Sequence, residues 1–184
     1  MCAGHRHEGR SHRRRCRAGD GDAMHMPFED ASFDVVYAFE AICHTADKDR
    51  THAEIARVLK PGGISIGYEW LADDGLTTEE AHRLIEPICR YYALPHLATP
   101  AQLAGQLRRA GFTDIVVGDT EATGDLTSTW DFLDELAALG EQLDDSPVRK
   151  FMVQGARALT RAARAGAFLI DFWEARKPET PPSA

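Results

Sequence analysis

The feature that most constrains this 184-residue chain is a strand, helix and strand pattern in its first half. Residues 32–38 form an apolar run rich in β-branched and aromatic side chains, which is typical of a buried strand. Residues 47–60 repeat their apolar side chains with a helical period, and Pro-Gly-Gly at 61–63 ends that helix. Residues 64–69 form the next strand. A unit of this length predicts two parallel strands joined by a right-handed crossover.

The second half of the chain continues the alternation of helices and strands. Thr99 is a predicted N-cap, Pro100 the first helical residue and Gly111 the stop of one helix. The further predicted elements are a strand at 115–117, amphipathic helices at 126–139 and 148–164, and a strand at 167–173. At least four strands interleaved with helices predict an α/β layered fold.

Charge is distributed unevenly along the chain. The first 17 residues contain six arginines and one acid, whereas the whole chain has a net charge of −8, so the remainder carries −13. An acidic body argues against a nucleic-acid partner, because phosphate binding requires a basic face. The sequence has neither an apolar run of the ~18 residues that a membrane span requires nor a secretory signal, so we expect a cytoplasmic protein.

The N-terminal segment differs from the rest of the chain. It contains five residues of types that bind metals, namely Cys2, His5, His7, His12 and Cys16. Their spacing matches no zinc-binding pattern, so we expect no metal site, and we expect all four cysteines of the chain to be reduced thiols. We therefore predict a disordered or non-native basic tail at residues 1–18, one domain at 19–176 and a second tail at 177–184.

Three blocks of sequence resemble a known family. Residues 21–34 resemble the class I methyltransferase pattern G-D-A-x-x-[LM]-P-F-x-[DE]-x-[ST]-F-D, and residues 38–44 and 54–63 follow it in the order and spacing of that family. Residues 39–46, 67–70 and 94–99 are similar to the sterol 24-C-methyltransferase branch. The chain is thus identified as a member of the class I S-adenosylmethionine-dependent methyltransferases.

The resemblance implies a Rossmann-like sheet of seven strands whose last two form an antiparallel hairpin. Here the strands at 115–117 and 167–173 would be that hairpin, with two helices inserted between them. The family's first strands and glycine-rich loop do not fit before Gly21, because each βαβ unit takes ~30 residues. We therefore expect a partial sheet that binds S-adenosylmethionine weakly, and self-association through its exposed edge strand.

The resemblance also implies which residues face the cofactor. Asp22 would accept a hydrogen bond from the adenine amino group, Ala23 would donate its backbone N–H, and Met24 would pack on the ring. Ligands of open α/β sheets bind beyond the carboxyl ends of the strands, which adds the segment Phe39, Glu40 and Ala41. As alternatives, Asp22 caps a turn and Met24 fills the core.

Catalytic candidates follow the same two strands. His44 would act as a general base or orient the acceptor, and Glu40 and Glu69 would stabilise a developing carbocation. Tyr68 and Trp70, together with His44, would line an apolar acceptor pocket. The alternatives are a helix-start histidine, surface acids and core aromatic residues.

Three functions remain open from the sequence. The first is methyl transfer to a small, polycyclic or lipid-like acceptor. The second is a methyltransferase-like binding module without activity, which completes its sheet with a partner. The third is a fragment of a natural-product O- or N-methyltransferase.

Overall fold

The computed structural model describes residues 21–119, 126–143 and 146–179. The first of its two compact units comprises Met1–Glu69, Gln102–Val117 and Phe172–Ala184, and the second comprises Trp70–Ala101 and Gly118–Asp171. The basic tail predicted at 1–18 and the end of the second tail, 180–184, lie outside the described residues.

One four-stranded sheet organises the fold. Its strands are β1 (Phe33–Phe39), β2 (Leu59–Ala72), β3 (Thr113–Asp119) and β4 (Phe168–Arg176). Their order in the sheet is β1-β2-β4-β3. β1 and β2 are parallel, as the βαβ pattern predicted, and Phe39 lies opposite Tyr68. Within the described residues, β1 therefore lies at one end of the sheet.

β4 runs against β2. Near the start of β2, the Gly62 N–H donates to the carbonyl of Lys177, just beyond β4, over 2.9 Å. At the other end of β2, the Asp73 N–H donates to the carbonyl of Ala167, just before β4, over 3.0 Å. β4 lies between β2 and β3, and it forms with β3 the C-terminal hairpin expected from the resemblance.

The described residues also contain six α-helices. They are α1 (Lys48–Val58), α2 (Thr78–Glu80), α3 (Glu86–Tyr91), α4 (Pro100–Arg109), α5 (Thr127–Glu141) and α6 (Pro147–Arg164). A π-helix, Ala81–Ile85, connects α2 to α3. α4 begins at Pro100 as predicted, and Gly111 follows it with a φ of +88°. The helical stretch from α2 to α3 was not predicted.

The end of α1 differs from the prediction. The helix stops at Val58 instead of residue 60, because β2 already begins at Leu59, which pairs with Phe33. The next regular pair joins Val35 to Ile64, so the Pro-Gly-Gly segment lies in an irregular part of the strand. Pro-Gly-Gly thus lies at a register irregularity inside β2, after the helix has already ended, and does not end the helix as predicted.

Trp173 of β4 fills the core of the first unit. It is 1% exposed, and its Nε1 donates to the Ser65 hydroxyl over 3.3 Å. A Cβ at Gly67 would lie 2.2 Å from the Trp173 ring and 2.1 Å from the Ala38 carbonyl oxygen. The small residue Gly67 of β2 therefore makes room for the Trp173 ring of the same sheet.

The second unit is built on the helical pair α5 and α6. Trp130 and Ala137 of α5 are buried, as is Leu159 of α6. Ion pairs join the two helices: Arg157 contacts Asp134 and Glu141, and Arg164 contacts Asp131 and Asp134. α3 packs on α6, and the Tyr91 hydroxyl hydrogen-bonds to Gln154 over 2.6 Å.

His52 of α1 is a fully buried histidine. Its ring meets the Trp173 ring edge to face at 6.2 Å, and neither ring nitrogen has a hydrogen-bond partner among the described residues. Burial lowers the pKa of His52 from 6.5 to about 4. Since the unfolded chain binds this proton more readily, the His52 contribution to stability is lost as pH falls from about 6.5 to about 4.

We expect His52→Phe to remove this dependence, because phenylalanine keeps an apolar ring and binds no proton. The free energy of unfolding of the wild type, relative to that of the variant, should fall by up to about 3 kcal/mol between pH 7 and pH 4. Urea unfolding at both pH values measures the difference. A difference that does not change with pH would contradict the burial of a neutral His52.

Candidate functional site

The carboxyl end of β1 and the part of β2 opposite it display two aromatic side chains. Phe39 is 56% exposed and Tyr68 is 41% exposed, and their ring centroids lie 5.9 Å apart. The chain then turns at Glu40, which has a φ of +46° and donates its N–H to the Tyr68 carbonyl over 2.9 Å. Phe39, Glu40 and Tyr68 of the predicted site are thus neighbours on an accessible sheet edge.

A short 3-10 helix, Ile42–His44, follows this turn, with Ala41 as its N-cap residue. Cys43 is buried and its N–H donates to Oε2 of Glu69 over 2.8 Å, whereas the side chain of His44 is exposed. Lys48 donates from Nζ to the Cys43 carbonyl over 3.2 Å. The backbone N–H and the backbone carbonyl of Cys43 are therefore both hydrogen-bonded to side chains.

Glu69 is the most buried of the predicted catalytic residues, at 3% exposure. Burial raises the pKa of Glu69 to about 7, although hydrogen bonds from Cys43 and Ile42 oppose this rise. Its Oε1 has no hydrogen-bond partner among the described residues. Burial, together with the Glu69 carboxylate, also raises the pKa of the Cys43 thiol to about 12. Glu69 lies beneath the loop after β1, while Glu40 and His44 remain accessible.

Asp22 organises a turn in the segment predicted to contact adenine. Its Oδ1 accepts a hydrogen bond from the Met24 N–H over 2.8 Å, and its Oδ2 lies 3.2 Å from Nδ1 of His25. The Met24 N–H lowers the pKa of Asp22, followed by His25. The Asp22 side chain is still 50% exposed, so it caps a turn and also presents an accessible carboxylate. Ala23 and Met24 are half-buried, and Met26 belongs to the core.

Arg57 of α1 holds the segment that follows Asp22. Its guanidinium donates to the carbonyls of Met26 and Phe28 over 3.0 and 2.8 Å, and to Asp30 over 2.6 Å. It also donates to both carboxylate oxygens of Glu54, over 3.0 and 2.8 Å. Glu54 in turn accepts the Met26 N–H over 3.0 Å. The two side chains fix one backbone segment by charge-assisted hydrogen bonds.

Sequence reasoning missed this role of Glu54 and Arg57. The Arg57 hydrogen bond lowers the pKa of Glu54, and Glu54 raises the pKa of Arg57. The pair belongs to a block that carried the family resemblance, and a buried acid three residues before an arginine was the available indication.

The first half of α1 connects both predicted segments. Arg50 donates from Nε to the carbonyl of Met24 over 3.1 Å, and Lys48 contacts the carbonyls of Cys43 and Thr45. The N-cap Asp47 accepts the Arg50 N–H over 2.9 Å and fixes the helix start. The helix start thus brings the turn at Asp22 and the loop after β1 to one place.

In the second unit, Trp70 belongs to an aromatic cluster. Its ring lies 5.1 Å from Tyr92 and 5.2 Å from Phe168, and Phe168 contacts Trp130 at 6.0 Å. Trp70 Nε1 is buried without a hydrogen-bond partner among the described residues. Burial raises the pKa of Tyr92. Trp70 therefore packs against aromatic residues of the core, because Phe168 and Trp130 are both buried.

A cavity of about 270 Å³ in the same unit contains none of the predicted site residues. It is lined by His82, Glu86, Pro87, Arg90 and Tyr91.

In the part of the chain that the structure describes, no group of three or more His, Cys, Asp or Glu side chains is arranged to bind a metal ion. No described helix is both long and apolar enough to cross a membrane. Among the described residues, Cys43 and Cys89 are not joined in a disulfide.

The chain is similar to known methyltransferases. A family model described as "Methyltransferase domain" matches residues 2–67. The sterol 24-C-methyltransferase of Eremothecium gossypii is 34% identical over 149 residues, which cover 72% of this chain and 40% of that protein. The cycloartenol-C-24-methyltransferase of Arabidopsis thaliana is 31% identical over 193 residues, with coverage of 89% and 57%. The chain thus spans about half the length of these relatives or less.

A solved structure shows the same fold. Haemonchus contortus phosphoethanolamine N-methyltransferase 2, in complex with phosphomonomethylethanolamine and S-adenosylhomocysteine, superposes with a TM-score of 0.65 at 22% identity. The match covers 85% of this chain and 36% of that one. Over the part of the domain that it spans, the chain belongs to the class I S-adenosylmethionine-dependent methyltransferases, in the sterol methyltransferase branch.

Proposed function

We propose that the chain supports methyl transfer from S-adenosylmethionine to a lipid-like, sterol-type acceptor. The observation that carries the proposal is the set of exposed side chains at and just after the carboxyl end of β1, namely Phe39, Glu40 and His44, with Tyr68 opposite Phe39 in β2. Ligands of open α/β sheets bind beyond the carboxyl ends of the strands. Aromatic and acidic side chains in one place suit an apolar acceptor that becomes positively charged during the reaction.

On this proposal, the cofactor is held by Asp22, Ala23, Met24, Phe39, Glu40 and Ala41. The half-exposed carboxylate of Asp22 fits an adenine amino group, because the turn it caps leaves it open to solvent. When bound, S-adenosylmethionine supplies an electrophilic methyl group on a positively charged sulfur. The chain contains no G-x-G-x-x-G loop, so we infer weak binding by these 184 residues.

The three acids and bases of the site have different tasks in this proposal. Glu40 is exposed and would face the positive charge that develops on an alkene acceptor, and His44 would accept the proton that the product loses. Glu69 is buried and would act as a positioning residue, because its carboxylate holds the peptide of Cys43. Tyr68 and Trp70 would contact the acceptor.

Two alternatives remain as proposals. β1 ends the sheet within the described residues, and an uncovered strand edge favours a binding module that pairs with another chain, or self-association at that edge. An O- or N-methyltransferase would use the same cofactor side with a polar acceptor. The net charge of −8 supports the proposal that the chain has no nucleic-acid partner. We also propose a cytoplasmic location.

Methyl transfer by the 184-residue chain tests the proposed function. With labelled S-adenosylmethionine at about 10 mM, well above ordinary KM values, we expect slow label transfer to cycloartenol and none to phosphomonomethylethanolamine. Glu40→Gln and His44→Gln should each lower the rate about 10- to 100-fold. Calorimetric titration should give a cofactor Kd on the order of 1 mM.

Transfer to the amine alone would contradict the sterol-type acceptor. Absence of any transfer, in a chain that also fails to bind the cofactor, would favour the binding module, whereas a monomer that melts cooperatively would count against that module. A micromolar Kd would contradict the weak binding inferred here.

Glu69→Gln separates positioning from catalysis. Glutamine keeps an oxygen that accepts the Cys43 N–H, but it carries no charge. The wild type is destabilised by the buried charge of Glu69; this destabilisation is complete above about pH 7 and absent below about pH 4.5. We expect the variant to be more stable than the wild type by up to about 3 kcal/mol at pH 8, with no gain at pH 4.5. Thermal unfolding at both pH values measures this, and Glu40→Gln should show no such pH-dependent gain.

A variant that is less stable than the wild type at both pH values would show that the loop requires the charged carboxylate. That result would contradict the raised pKa of Glu69, because a carboxylate that stabilises the fold in its charged form has a lowered pKa.

Arg57→Lys tests how the segment after Asp22 is held. Lysine has the charge but not the planar fork that contacts Glu54, Asp30 and two carbonyls together. We expect the Met26 amide, which donates to Glu54, to exchange its hydrogen about tenfold faster. Lys60→Met, which removes the more exposed ion pair with Asp34, is the control and should leave that amide unchanged. Equal exchange in Arg57→Lys and the wild type would show that Arg57 does not hold the segment.

A further inference from the structure

α5 presents a row of large apolar side chains to solvent. Phe132 is 62% exposed, Leu136 51%, Leu139 54% and Leu143 55%. Leu143 lies just past the helix and continues the row through a turn, in which its N–H donates to the Gly140 carbonyl over 3.3 Å. Such continuous apolar rows are uncommon on the surface of a soluble monomer.

The row is separate from the face by which α5 packs on α6. Trp130 and Ala137 of α5 are buried, and Asp134 and Glu141 form the ion pairs with Arg157 of α6. α5 therefore has two apolar surfaces, of which the second unit covers only one.

The spacing of the row is that of a coiled-coil seam. Its members are separated by four, three and four positions, which is the alternation of a and d positions in a heptad repeat. Two helices with this spacing can insert their side chains into each other's gaps, so the row is complementary to a copy of itself. The acceptor site proposed above uses none of these residues.

Charge favours a protein partner over a lipid surface. Asp131 and Glu135 are exposed beside Phe132 and Leu136, and the chain has a net charge of −8, so an anionic membrane would repel this face. The position of Glu135 recurs one heptad later as Gln142, a neutral side chain. When two copies pair, acidic side chains therefore do not repeat at every heptad along the seam, and charge repulsion between the copies is limited.

We propose that the row Phe132, Leu136, Leu139 and Leu143 is a homodimer interface, covered by the same row of a second copy. Each half-exposed side chain offers on the order of 100 Å² of surface, so the row supplies on the order of 400 Å² per copy. With its flanking residues, the pair reaches about 1,000 Å² in total, at the lower limit of specific interfaces. The dimer is therefore weak and forms at micromolar concentrations.

Sedimentation velocity of the 184-residue chain tests the proposal. Between about 2 and about 200 µM, we expect the wild-type mass to rise from 20.3 kDa toward twice that value. Leu136→Glu and Leu139→Glu should each weaken dimerisation at least about tenfold, so that both variants stay near 20.3 kDa at concentrations at which the wild type is mostly dimeric. Met152→Glu is the matched control, because Met152 is 67% exposed on α6, outside the row, and this variant should dimerise like the wild type.

Several results would overturn the interface. A wild type that stays monomeric, dimers that persist in both leucine variants, or loss of the dimer in Met152→Glu would each do so. Binding of the wild type to phosphatidylcholine vesicles that Leu139→Glu abolishes would assign the row to a lipid surface instead. Circular dichroism of each variant shows whether the helices are intact, and Leu139→Ala, which shortens the side chain without adding a charge, should show an intermediate loss.

Discussion

The pairing of Glu54 with Arg57 is the interaction on which the candidate site depends. One guanidinium joins two backbone carbonyls, a second acid and both oxygens of Glu54, so α1 and the segment after Asp22 act as one piece. Neither side chain is a candidate for chemistry. Instead, they fix the backbone of the segment after Asp22 against α1. This segment has few apolar side chains, so burial alone would not hold it in place.

α1 is accordingly more than the crossover between two parallel strands. Its start holds the turn at Asp22 through Arg50 and the loop after β1 through Lys48. Glu69 completes the arrangement from β2 by accepting the Cys43 N–H. The residues that resemble the family's cofactor and acceptor sides thus depend on one helix and one buried acid.

Much of the fold could be predicted from local sequence, while most of the site's contacts could not. The ends of α4 at Pro100 and Gly111 could be predicted because helix capping is a local property. The helices from α2 to α3 could not, because a π-helical stretch and Pro87 interrupt the helical period of the apolar side chains. The pairing of β3 with β4 was expected only from the resemblance, and the position of β4 between β2 and β3 was not predicted. Glu54 binds Met26 across 28 residues, and the burial of Glu69 depends on the path of the loop above it, so neither was readable from spacing.

Two buried groups of the first unit have opposite effects on proton balance. On unfolding between about pH 4.5 and pH 6.5, His52 gains a proton because its pKa is lowered to about 4, while Glu69 releases one because its pKa is raised to about 7. The two exchanges nearly cancel. The intact protein can therefore show an almost flat acid profile although its interior contains two strongly perturbed groups, and a single substitution at either one would make the remaining group's proton linkage visible.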